Sequence, residues 1–240
     1  MPTFRAWVSK LRPWGLGALA LGSAARTAGS LGYFDDETLP AFVIEKLPLP
    51  HEALWLFALK WHVVAAAWAL PGCLLLLSKT LLRRAPRVHR WLGRITAAVV
   101  LLGLAPSGFY LSLFAKGGLL STLGFILSGA IVVFSMVQAI RTARTGRFTE
   151  HRRYTLHVLA QLSVAVSSRA LLFVFDAAGF DTDVAYLIAL WVPVFISAVV
   201  AEVCAHRFVL LPNPWRKNEA SALAGDVDPV HAGVRAIARA

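Results

Sequence analysis

The chain has 240 residues, 58% of them hydrophobic and only 15% charged, where a soluble domain carries about a quarter. With a mean hydropathy of +0.64 and apolar runs of about 20 residues, long enough to cross a bilayer as helix, a soluble globular enzyme is excluded. The net charge of +11 would suggest nucleic acid on a soluble protein; here the basic residues flank the apolar runs, so the charge points to a membrane and not to nucleic acid.

The sequence reads as an all-α, polytopic transmembrane bundle of about six spans. Residues 1–13 hold Arg5, Lys10 and Arg12 and form a cytoplasmic N-terminal segment. The first span, Trp14–Phe34, is interrupted by Arg26. Its Ala18/Gly22, Ala25/Gly29 and Ala28/Gly32 pairs have the four-residue spacing of close helix packing in lipid. The alternative is a cleaved signal peptide, which would leave five spans.

The second span, Ala53–Ser78, carries Lys60 and His62. An ionisable residue inside a bilayer is a functional-site hypothesis by default. At 100° per residue, His62 shares a face with Ala58, Ala65, Ala66 and Ala69. Such a strip suits either a closely packed helix or a flat cofactor beside a ligating imidazole. Lys60 points elsewhere, among Leu56, Phe57 and Val64, and reads as an anchor that snorkels to the interface.

The third span, Leu92–Phe114, follows the run VHRWLGR. His89 begins a side continued by Gly93, Thr96, Val100, Gly103 and Ser107; a His followed by Gly four residues on lets a planar group approach the helix. In the fourth span, Gly118–Ile140, Ser121, Ser128 and Ser135 recur every seven residues as a packing seam. The fifth, Thr155–Phe175, lies behind EHRRYTLH. Arg153, His157, Gln161 and Ser168 share one stripe, with Arg169 near its edge and deep in apolar sequence. Counted from the outer end, Arg169 and His62 reach similar depth, so the two are expected to line one cavity. The sixth span, Val184–Phe208, places Glu202 and His206 four apart in an interfacial ion-pair cluster. The cytoplasmic tail, 211–240, lacks a strong period and reads as solvated.

Sidedness follows from charge. The N-terminal segment, the loops after spans two and four and the tail, counted with the span-end residues Arg94 and Arg207, together hold 19 of the 24 basic residues, while FDDETLPAFVIEKLPLPHE and DAAGFDTD hold 8 of the 13 acidic ones. Loops rich in Lys and Arg stay in the cytoplasm, which puts both termini there. Anionic lipids are the expected partners of the basic loops, besides the bilayer itself and a membrane partner or second copy. Cys73 and Cys204 lie inside apolar runs, and the sequence holds no zinc spacing, Walker loop, GxSxG or HExxH, so a stand-alone enzyme is not expected.

WHVVAAAWALPG, HRWLGR, GGLLSTLGF and HRRYTLH, with Arg169, resemble the bacterial membrane proteins grouped as domain of unknown function 2306, over roughly residues 53–205. The resemblance implies a helical membrane bundle in a bacterial cytoplasmic membrane, with His62, His89, His151 and Arg169 as recurring polar positions. It departs after HRR, where Tyr154, Thr155 and His157 replace the usual Trp-Met-basic run. The His-bearing helices are similar to those of di-haem membrane cytochromes. The functional expectation is therefore a redox membrane protein binding haem b or a quinone: His89, His151 and His157 serve the inner side, and His62 with Arg169 the outer. His62, His89 and His151 would be the metal ligands if haem is bound. The alternatives are a cofactor-free scaffold or accessory subunit, and a small-solute or proton permease.

Overall fold

The computed structural model describes residues 4–34, 41–44, 46, 48–49 and 51–209. Its helices are α1 (Phe4–Gly29), α2 (Ala41–Ile44), α3 (Glu52–Leu76), α4 (Lys79–Arg84), α5 (Pro86–Ala98), α6 (Ala105–Ser112), α7 (Gly118–Arg144), α8 (Phe148–Ala177) and α9 (Thr182–Val209). A π-helical turn, Val99–Leu104, joins α5 to α6, making one continuous helix of Pro86–Ser112. Among the described residues there are no strands. The tail, 211–240, lies outside the described residues.

Five helices are long and apolar enough to cross a membrane: α3, Pro86–Ser112, α7, α8 and Thr182–His206 of α9. Helix α1 has the length but not the apolarity, because Arg26 and the Gly, Ala and Ser residues dilute it. Of the glycines expected to pack closely, Gly22 does so, since an added Cβ would collide with Val166 of α8, whereas Gly29 has open space. Within the spans, 28–33% of the most apolar stretches is buried inside the protein, leaving the larger share for lipid.

The helices overrun their apolar segments at the basic end. Helix α5 starts at Pro86 rather than Leu92, and α8 at Phe148 rather than Thr155. Hydropathy registers the hydrocarbon layer, whereas backbone hydrogen bonding continues through the headgroups. Proline at the first position suits the start of α5, and Ser78 Oγ caps α4 by accepting from Leu81 N at 3.2 Å. Arg94 lies over the exposed Trp91 ring at 5.2 Å, a pairing suited to the interface.

Tight turns set the antiparallel order. Gly117 and Gly118, at φ +85° and +63°, turn α6 into α7. Gly146, at φ +73°, ends α7, with Arg147 N donating to Thr142 O at 2.9 Å. Gly179 does the same for α8, and Asp181 Oδ1 then caps α9 by accepting from Asp183 N and Val184 N. Lys46 Nζ donates to Phe114 O at 2.6 Å, which pins the α1–α3 connection beside the α6–α7 turn.

The core lies where α3 crosses the Pro86–Ser112 helix and α7 and α8 close over it. It contains Ala65, Ala69, Ala97, Val100, Leu104, Val132, Met136 and Val158.

Candidate functional site

The alanine strip of α3 packs against another helix. Ala58, Ala65 and Ala69 are buried. A Cβ at Gly103 would stand 3.3 Å from Ala65 Cβ and 3.2 Å from Trp61 Nε1, and one at Gly72 would stand 2.7 Å from Thr96 Oγ1. This is backbone contact of the small-residue kind, and it leaves no room for a flat ring beside those alanines.

His62 sits in the part of the same seam nearer the acidic end. A Cβ at Gly108 would be 3.1 Å from its Cε1. Ser107 Oγ donates its one proton to Gly103 O at 2.7 Å, and His62 Nδ1 lies 3.1 Å from Ser107 Oγ. The hydroxyl must therefore accept from Nδ1–H, so Nε2 keeps its lone pair. Gly103 is part of the π-helical turn, a feature frequent at functional sites. Ser107 belonged to the side of the helix read from His89, but its role as the partner of His62 depends on helix crossing and carries no sequence signal.

Gly108→Ala should push the imidazole off Ser107 and cost about 1 kcal/mol by overpacking. The nitrogen-15 signals of His62 in magnetic-resonance spectra check this: loss of the Nδ1–H tautomer is the expected result, and an unchanged signal contradicts the pinning.

His62 and Arg169 were expected to share a cavity. Among the described residues no hydrogen bond joins them: His62 is held by Ser107, and Arg169 is exposed on α8. Equal depth does not set direction, and the rotation of α8 is fixed by Gln161 facing α7 and α9. His51, the other histidine towards the acidic end, is exposed at the start of α3 with φ 58°.

At the basic end two groups form. In the first, Glu202 of α9 takes Arg153 Nε at 3.1 Å, His157 Nε2 at 2.8 Å and His206 Nε2 at 3.1 Å. The expected Glu202–His206 pair is thus part of a larger cluster, and the Arg153–His157 stripe supplies its other half. These groups are partly exposed, so each pair adds little stability by itself. In the second group, His151 Nδ1 donates to Ala139 O of α7 at 2.9 Å, leaving Nε2 as an acceptor. His89 is within electrostatic reach of His151, and its Nδ1 is buried with no hydrogen-bond partner. A Cβ at Gly93, one turn beyond His89, would meet only Leu76 Cδ2 at 3.9 Å. The described residues contain no group of three or more His, Cys, Asp or Glu arranged to hold a metal ion.

The packed helices and the lipid-facing surface define a multi-pass helical membrane protein. The chain belongs to the predicted membrane protein family of domain of unknown function 2306, whose profile matches residues 59–205. That stretch begins in α3 and ends in α9, and it includes His62, His89 and His151 and, of the Glu202 cluster, Arg153, His157 and Glu202 but not His206. No curated protein and no solved structure matches significantly.

Proposed function

We propose that this bundle is a redox protein of a bacterial cytoplasmic membrane, holding haem b between His89 and His151 at its basic, cytoplasmic end. The observation that carries the reading is the matched placement of the two imidazoles. Each is the fourth residue of its helix, in α5 from Pro86 and in α8 from Phe148, and both helices start at the same end. Ligation by two histidines needs that common depth. His151 has its Nδ1–H committed to a backbone carbonyl, which orients a ligating ring and leaves Nε2 for iron. Open backbone at Gly93 gives a planar group access.

Haem would supply one-electron transfer. His89 and His151 would hold it, and the exposed Arg87, Arg90 and Arg152 would offer cations to its carboxylates. His62, with Nε2 free of Ser107, is the acceptor available to a quinol hydroxyl in the apolar interior. His157 ties α8 to α9 through Glu202, and the basic loops contact anionic lipids.

Protein purified from haem-replete cells should show a Soret band. His89→Ala and His151→Ala should each remove it, and His62→Ala should leave it. A colourless wild-type preparation sinks this reading. It would favour a cofactor-free scaffold, which the filled alanine strip and the interhelical network around Gln161 and Glu202 support.

A further inference from the structure

We propose that Arg26, Arg169 and Asp176 form a binding site for the headgroup of a zwitterionic phospholipid at the acidic end of the bundle. Gly22 packs directly on Val166. Gly22 lies eighteen residues after Phe4 and Val166 eighteen after Phe148, so α1 and α8 run parallel with these two residues at one depth. Arg26 follows one turn beyond Gly22, and Arg169 three residues beyond Val166. The i+3 and i+4 spacing keeps both on the sides that meet. Both side chains are exposed, and among the described residues neither has a carboxylate within ion-pair distance. Two guanidiniums brought together beside lipid repel strongly in the low dielectric and call for a shared anion, for which two arginines offer the matching donors to a phosphate.

A second observation sets the headgroup class. Asp176 is seven residues beyond Arg169, hence on the same face of α8 and roughly 10 Å nearer the aqueous phase. An arginine that snorkels outward closes about half of that interval. Asp176 and Thr182 line a cavity of about 270 Å³ with Leu172, Phe173, Phe180 and Ala185. The order from the interior outward is cation pair, then carboxylate. A phosphate joined to an ammonium, as in phosphatidylethanolamine, presents the complementary order. Phe173, 75% exposed between them, gives an acyl chain an apolar surface.

The full chain, purified in mild detergent, should retain one phosphatidylethanolamine by native mass spectrometry and prefer it to phosphatidylglycerol. Arg169→Gln should weaken retention about tenfold, the worth of one charged hydrogen bond, while Arg169→Lys should weaken it less. Asp176→Asn should erase the preference over phosphatidylglycerol. Equal retention of the two lipids by the wild-type protein overturns the proposal without any variant having to fold. Unchanged retention in the Arg26→Gln/Arg169→Gln pair also overturns it, as does displacement of the lipid by inorganic phosphate, which would mark a free-anion site. No outcome depends on haem, so the redox reading and this one fail separately.

Discussion

Gly72→Leu is expected to cost about 3 kcal/mol or more and to separate α3 from α5, at the upper end of overpacking penalties. Even the first added carbon would stand 2.7 Å from Thr96 Oγ1 and 3.4 Å from Trp68 Nε1. Thr96 is 1% exposed and β-branched, so its rotation in a helix is restricted, and the strain must pass to the backbones. The clash has a specific remedy. The Thr96 hydroxyl is buried without a hydrogen-bond partner, so Thr96→Ala removes the colliding atom at little polar cost. Gly72→Ala should therefore be destabilising alone and largely rescued by Thr96→Ala. A double-mutant cycle in reversible denaturant unfolding measures that coupling; additive costs would mean the two residues are not in contact.

The same seam shows what the sequence disclosed and where it stopped. Apolar runs announced α3, α7, α8 and α9 because a span must be apolar along its whole lipid depth. The stripe of Arg153, His157 and Gln161 was legible because helical periodicity is local, and all three face α9 or α7. The alanine strip around His62 was legible as a surface of small residues, but not its occupant. Gly72 meets α5, and Gly103 and Gly108 meet α3, only through the crossing of two helices, and a crossing angle has no signature in either helix alone. Arg169 shows the same limit: its depth could be counted, but its direction depends on how α1 and α9 pack on α8. The π-helical turn beside Pro106 left no periodic trace either, since one extra residue in a turn is invisible to a 100° count.

Gln161→Glu should destabilise the bundle at neutral pH and recover in acid. Gln161 is 3% exposed and joins three helices: Oε1 accepts from Ser128 Oγ at 2.9 Å, and Nε2 donates to Val194 O at 3.1 Å. A carboxylate keeps the first bond but turns an oxygen towards the Val194 carbonyl, so two acceptors face each other. A charge at the centre of a membrane helix costs about 3 kcal/mol on insertion scales, and the lost interhelical bond adds about 0.6 kcal/mol. Protonation removes the charge and restores a donor to Val194 O. The carboxyl is stable in place only when neutral, so stability should rise as pH falls. Gln161→Leu should lose less, because Ser128 Oγ can turn to a carbonyl of its own helix, and its loss should not depend on pH. Unfolding of the two variants across acid and neutral pH separates the cases. Equal pH profiles would mean that the residue-161 side chain reaches water rather than the carbonyl of α9.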